Sequence, residues 1–506
     1  MKQATSVFYI SASILVVLVL FGVLFPDSLE QSTAYVQSLI TDTFGWYYLI
    51  AVTAFVAVCI YLLVSPLGRI KLGKQEDTPD YSRPTWLAML FSAGVGIGLV
   101  FYGAYEPLNH YAISSATGEV GTEQAAREAM QYTFFHWGVH AWAVYGLVAM
   151  SLAYVMFRKG EPALISSTLT PVLGRHAKGA IGKTIDIIAV IATVIGVATS
   201  LGIGAVQING GLSYLFGIPN NILIQFIIIL IVTVMFMASA LSGLDKGIRI
   251  LSNVNMILAA ALCLLVFVFG ASLLTLNLFT DSFGRYLQNF VTMSFRIAPL
   301  NPENREWINT WTIFYWAWWI SWSPFVGIFI ARVSKGRTIR EFVAYVLLAP
   351  SVIGFIWFSI FGGSAIAIER SGKATLSQLI PEETLFGMLH TFPFGMATSI
   401  LAVGLIAIFF VTSADSGTFV LGMMTTGGAQ NPNNILKVVW GLMLTAMALV
   451  LLYSGGLQAL QNMMIICAFP FSFVIIMMAF SLIKTLNKDS HEMGPTTRRP
   501  RRAAKL

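Results

Sequence analysis

Residues 311–342 read WTIFYWAWWISWSPFVGIFIARVSKGRTIREF. The stretch is free of charge as far as Ala331, about the length that crosses a bilayer core of ~30 Å as a helix. Arg332, Lys335, Arg337 and Arg340 then follow in quick succession. An apolar span closed by basic residues predicts a membrane helix whose last turn lies on the cytoplasmic side.

The same reading extends to the whole chain. Of 506 residues, 57% are hydrophobic and 10% charged, with a mean hydropathy of +0.76, whereas soluble domains carry about 25% charged residues. Apolar stretches of spanning length fall at approximately 7–25, 46–65, 84–105, 135–157, 185–207, 221–243, 250–279, 309–331, 341–368, 395–425, 435–454 and 463–484. These predict an all-α integral membrane protein with twelve transmembrane helices. The first stretch has no small-residue cleavage site and reads as a retained helix. With the N-terminus in the cytoplasm, the inner segments hold 24 of the 30 Lys and Arg, and the outer ones hold the other six: Arg127, Arg285, Arg296, Arg305, Arg370 and Lys373. That asymmetry predicts both termini inside. The net charge of +7 is then a signature of topology, and no nucleic acid is expected as a partner. The basic run Arg498, Arg499, Arg501, Arg502 and Lys505 fits either contact with anionic lipid or a solvated topology determinant.

Little chain lies outside the membrane. The longest outer loops, 106–134 and 280–308, are too short to fold alone. In the second, Phe283, Tyr286, Leu287 and Phe290 oppose Arg285, Gln288, Asn289 and Arg296, which predicts an amphipathic helix in the outer interface. There is no GxxxxGK[ST] loop and no Cys/His cluster. Cys59, Cys263 and Cys467 all lie within spans, which predicts core packing and no disulfide. Any work is done inside the bilayer.

Within 311–322, five of the chain's 12 tryptophans occur. At about 100° per residue, Trp311, Tyr315, Trp318, Trp319 and Trp322 share an arc of roughly 100°. A lipid-facing belt is confined to headgroup depth, but this stripe descends to mid-span, leaving core packing or a binding wall. Span 4 opens FFHWGVHAWAVY, with Trp137, Trp142 and Tyr145 at comparable depth. Its His136 and His140 are i, i+4 neighbours that lack a third metal ligand nearby. Two aromatic walls with no acidic residue between them suit a quaternary ammonium, which indole and phenol faces attract. The backbone of span 3 is weakened by Gly94, Gly96 and Gly98 in SAGVGIG, and Pro324 should interrupt span 8. Interruptions at corresponding places point to a transporter's central site, although Gly94 and Gly98 equally suit close helix packing. Asp186 and Asp415 are the acidic residues expected within spans or at their edges. Asp415, beside Thr412 and Ser413 in FFVTSADSG, marks either a site for a hard cation or a tie between helices; membrane hydroxyls also commonly bond back to the preceding turn. Asp186, at the cytoplasmic edge, reads as a snorkelling or capping group.

Together, SAGVGIGLVFYG, FFHWGVHAWAVY, residues 311–342 and FFVTSADSG closely resemble the betaine/choline/carnitine transporter family, and within it the sodium-coupled glycine betaine uptake systems of bacteria. The likeness covers nearly the whole chain. It implies two leading helices and their cytoplasmic loop (1–83), a first five-helix repeat (84–279), an outer loop with the interfacial helix (280–308), an inverted second repeat of LeuT type (309–485) and a basic cytoplasmic tail (486–506). It also implies a homotrimer in the bacterial cell membrane. Matched residue by residue, it puts an aromatic box on Trp137, Trp142, Tyr145, Trp318, Trp319 and Trp322, with Phe329 on the exit path and the substrate carboxylate toward Gly94 to Gly98. It puts sodium, a coupling ion and not a cofactor, on Ser92, Val95, Phe409, Thr412 and Ser413. A second sodium would use Thr193 and Phe325, but the partner position holds Val197, which offers no hydroxyl, so the site requires Thr199 or Ser200 to substitute. Choline-preferring relatives carry Asp where this chain has Gly98, so the resemblance implies glycine betaine as the substrate. Uptake of choline or carnitine, a passive small-solute channel and, more remotely, a membrane enzyme are the alternatives.

Overall fold

A computed structural model describes residues 4–94, 96–242 and 247–492, the side chains of 91–94, 242, 247–250 and 492 apart. Val95 and the basic run near the C-terminus lie outside the described residues. Of the described residues 84% are helical, as the absence of water inside a bilayer requires, since each backbone N–H and C=O must find its partner within its own segment.

Two long helices lead, α1 (Ser6–Leu24) and α2 (Pro26–Val64). A broken pair follows, α3 (Arg83–Gly94) and α4 (Ile97–Ala112), and then a second, α5 (Glu123–Trp137) and α6 (Val139–Ala153). The chain continues through α7 (Ala180–Phe216), α8 (Ile222–Ser242), α9 (Gly247–Phe269) and α10 (Ser272–Gln288). The last helices are α11 (Phe314–Val333), α12 (Ile339–Ser371), α13 (Gly395–Met424) and α14 (Asn434–Glu492).

Among the described residues, 10 helices are long and apolar enough to cross a membrane. The expected number of twelve is reached if α3 and α4 count as one crossing and α14 as two. At 59 residues, α14 is far longer than the ~20 that one crossing needs, and it bends where Gly455 and Gly456 leave helical geometry.

Burial separates an inner group of helices from an outer one. The apolar windows of Pro302–Val333 and Glu123–Lys159 are 94% and 89% buried, against 28% for Ser6–Leu24 and 22% for Leu251–Phe269. Helices that are apolar all round yet half exposed are those a lipid phase would cover. The two most buried carry the aromatic walls: α11 packs along α6 and also against α7.

Three expectations are revised. Pro324 does not interrupt α11, which runs through it unbroken. Proline frees the carbonyl of Ile320, and the hydroxyl of Ser323 donates to that oxygen at 2.7 Å, so the ladder is repaired locally. Span 4, for which no interruption was expected, breaks at Gly138, between α5 and α6, where an added Cβ would lie 2.5 Å from the Phe134 carbonyl and 2.8 Å from the Phe355 ring. The amphipathic helix is present but begins at Ser272, inside the stretch read as span 7. The Ser272 hydroxyl donates to the Phe267 carbonyl and fixes the turn. Tyr286 faces inward, buried against Phe355 and Phe290, while Leu287 is exposed.

Candidate functional site

The helical phase of 311–322 puts its indoles on one wall, and α5 and α6 supply the other. Trp137 meets Trp319 edge to face with ring centres 4.9 Å apart, and Trp318 at 6.1 Å. Tyr145 lies 6.0 Å from Trp319, also edge-on, and Trp142 5.6 Å from Tyr145. Tyr315, Trp318 and Trp319 form a near-parallel stack, with interplanar angles of 9° to 19°. Trp137, Trp142, Tyr145 and Trp319 line one cavity, closed off by Leu99, Ala141, Pro350 and Gly354. Its volume is about 20 Å³, room for roughly one water. The rings must therefore separate before a quaternary ammonium can enter.

Two of the indoles on α11 are held from behind. The Trp319 indole N–H donates to the His136 carbonyl at 2.9 Å, and that of Trp322 to the Gly196 carbonyl on α7 at 2.8 Å. Trp322 stands one step deeper, beside Phe325. Two donors remain over: among the described residues, the Trp318 indole N–H and the Tyr145 hydroxyl are buried without a hydrogen-bond partner. Buried polar groups are rarely left so, and two such donors in an aromatic cage suit an anionic acceptor. A third donor source lies close by. Helix α4 begins at Ile97 after Gly96, with no side chain capping it, so its first amides point out of the helix as anion donors. Gly98 lies directly under the cage: a Cβ there would come within 2.7 Å of the Trp318 ring and 3.2 Å of Trp137. Gly94 closes α3. Phe329 is half-buried, two turns below Trp322 on α11.

Ser413, one of the residues expected to hold a cation, sits beside the cage. A Cβ on Gly96 would be 3.4 Å from the Trp322 ring and 3.7 Å from the Ser413 hydroxyl, so the break in span 3 separates the two sets by little more than one atomic layer. Thr412 donates to the Ile408 or Phe409 carbonyl, at 3.0 and 3.2 Å. It also accepts from the Asn255 amide at 3.2 Å. Sequence reasoning missed Asn255 on α9. Among the described residues its Oδ1 is buried without a hydrogen-bond partner, and carbonyl and hydroxyl oxygens are what a hard cation selects. Ser92 lies on α3 with its side chain among those not described.

The second cation pair is less provided for. The Thr193 hydroxyl donates to the Ala189 carbonyl at 2.8 Å, and Val197 one turn on packs against Gly417. Asp415 accepts from Ser239 on α8 at 2.5 Å, tying two helices together. Asp186 accepts from the backbone and hydroxyl of Ser166, as a cap does. The three cysteines are free.

One acidic residue that the sequence had placed outside the membrane stands behind the cage. Glu106 was assigned to an outer loop, yet it is fully buried in α4. Its Oε2 accepts from the Trp137 indole at 2.7 Å and from the Tyr315 hydroxyl at 2.5 Å, and its Oε1 is 2.7 Å from His136 Nδ1. His110 Nε2 stands 3.5 Å from the same Oε1. His136 thus has companions that its spacing from His140 did not reveal: Glu106, His110 and His136 could hold a metal ion. The carboxylate is already committed to three donors, however, which makes it a hydrogen-bond hub. His140 turns away to Ser294 and stacks on Trp316.

Comparison with known proteins identifies the family. A model of the betaine/carnitine/choline family of transporters matches residues 6–491. A glycine betaine transporter of Bacillus subtilis, OpuD, is 59% identical over 97% of this chain and 96% of its own. A probable glycine betaine transporter of Desulfitobacterium hafniense is 44% identical over 96% and 98%, and an ectoine/hydroxyectoine transporter of Virgibacillus pantothenticus 43% identical over 95% and 96%. With these matches spanning almost its full length, the chain is a multi-pass membrane protein that belongs to the betaine/carnitine/choline family of transporters.

Proposed function

We propose that this protein accumulates glycine betaine in the bacterial cell by sodium symport across the plasma membrane. The observation that carries the reading is the cage itself: four aromatic rings around one cavity, with the buried donors of Tyr145 and Trp318 left over beside it. A trimethylammonium group needs ring faces and no hydrogen bond, each face contributing about 0.5–2 kcal/mol. Its carboxylate needs donors, which the Trp318 N–H, the Tyr145 hydroxyl and the first amides of α4 supply. Glycine betaine carries both groups. Choline has a hydroxyl in place of the carboxylate, which offers one uncharged acceptor oxygen in place of two anionic ones and leaves donors unsatisfied at a cost of about 1–3 kcal/mol each.

Sodium binds among Thr412, Ser413, the Phe409 carbonyl, Asn255 and the backbone at the break after Gly94. A Cβ on Gly96 would meet both Trp322 and Ser413, so fixing that break around the ion also sets the floor of the cage. That shared element is the coupling. Substrate enters from outside through an open cavity of about 560 Å³ lined by Glu303, Glu306, Trp307 and Trp311, whose carboxylates and indoles attract cations. Two five-helix repeats of LeuT type then rock to expose the cage to the cytoplasm, where both termini lie. The protein works as a homotrimer.

Uptake of labelled glycine betaine and choline into proteoliposomes under sodium, proton or no gradient tests the proposal. Sodium-driven uptake of glycine betaine, with little choline, is the expected result. Choline carried well without sodium overturns it, as does flux that no gradient drives, the behaviour of a channel.

A further inference from the structure

We infer that Glu106 is a specificity-determining positioning residue: it holds Trp137 and Tyr315 in the cage wall, and its charge tunes that wall for a cationic guest. The inference rests on the aromatic cage as the substrate site and goes beyond it to a residue outside the cage.

Glu106 sits in α4, eight residues past Gly98, and is wholly buried. An indole nitrogen can only donate, so the Trp137 contact at 2.7 Å makes Oε2 an acceptor, and the Tyr315 hydroxyl at 2.5 Å shares that oxygen. The other oxygen faces His136, whose far nitrogen lies 3.0 Å from Thr312. Neutral His136 can donate from Nδ1 to Glu106 and accept from the Thr312 hydroxyl. Three donors converging on one carboxyl group satisfy its ionised form, which only accepts. Both fastened rings reach the cage: Trp137 lies 4.9 Å from Trp319, and Tyr315 stacks on Trp319 at 5.7 Å.

Two effects follow from one charge. Removing it frees an indole and a phenol that the closed cage needs at fixed positions. A hydrogen bond from ring N–H or O–H to an anion also pushes electron density onto the ring, which strengthens the negative face that a quaternary ammonium meets. Burial in a low-dielectric interior keeps this field from being screened. Glu106 therefore favours a cation over a neutral guest of equal shape.

The test compares glycine betaine with tert-butylacetate, in which carbon replaces the ammonium nitrogen. Each competes with labelled glycine betaine for uptake by the full-length protein in proteoliposomes. Wild type should prefer the charged ligand strongly. Glu106→Gln should reduce that preference by about tenfold or more, Glu106→Asp should restore part of it, and Tyr315→Phe, which keeps the ring and drops one fastening, should reduce it by a smaller factor. A merely structural role would weaken both ligands alike and leave their ratio unchanged. An unchanged ratio in Tyr315→Phe, or in Glu106→Gln where that variant folds, overturns the inference. A wild type that shows no preference overturns the cage reading beneath it, so the two failures are distinguishable.

Discussion

Trp319 and Trp316 are three residues apart on one helix and both buried, yet replacing them by alanine should have different consequences. Trp319 forms a cage wall against Trp137, Tyr145 and Trp318. Trp316 points the other way and stacks flat on His140 at 5.4 Å. Both substitutions open a void, and emptying a buried Trp site costs about 3–5 kcal/mol of stability. Only Trp319→Ala also removes a cation–π face, worth about 0.5–2 kcal/mol. At about 1.4 kcal/mol per decade, that corresponds to a 2- to 30-fold loss of affinity. Loosening of Trp137, which has Trp319 as an edge-to-face partner, pushes the expectation to the upper part of that range. In proteoliposomes, Trp319→Ala should raise the KM for glycine betaine by about tenfold or more, and Trp319→Phe, which keeps a face, by less. Trp316→Ala should lower the thermal midpoint comparably while its KM stays within about twofold of wild type. Equal KM shifts in the two alanine variants, or none in a folded Trp319→Ala, would refute the helical phase on which the site is built.

Further predictions concern the cation, the glycine and the proline. Thr412→Ala with Asn255→Ala should raise the sodium concentration for half-maximal uptake far more than the KM for glycine betaine at saturating sodium; wild-type sodium dependence in both would place the ion elsewhere. Gly98→Ala puts a methyl 2.7 Å from the Trp318 ring, so uptake should fall at least tenfold with expression retained, about what displacing one cage ring costs. Uptake at wild-type level would mean that the ring stands clear. Ser323→Ala leaves the Ile320 carbonyl unpaired beside Pro324, and the thermal midpoint should drop by the equivalent of about 0.5–1.5 kcal/mol with KM unchanged. An unaltered midpoint would show that the carbonyl finds another donor.

The spans and the aromatic walls were legible because each rests on period or composition, and period survives folding, whereas a place for Ser413 near span 3 came only with the family resemblance. What escaped shows where those signals fail. Glu106 follows an apolar run and sits among Asn109 and His110, so hydropathy ends the span there. In the fold α4 continues to Ala112 with those polar groups buried against one another. The only local hint was the i, i+4 spacing of Glu106 and His110. Pro324 was misread because a proline's effect depends on whether a donor replaces the missing one, and Ser323 supplies it from the adjacent position. The turn between α9 and α10 was invisible because apolar residues continue on both sides of it, and only the Ser272 side chain marks the bend. Asn255 lay within a span, with nothing in its neighbours to link it to Thr412.

The most direct test of sodium-driven accumulation is the steady-state ratio of internal to external glycine betaine in proteoliposomes held at zero potential with a sodium gradient directed inward. A ratio well above one that collapses when a sodium ionophore is added is the predicted result. A ratio that never exceeds one, with or without the gradient, would contradict it.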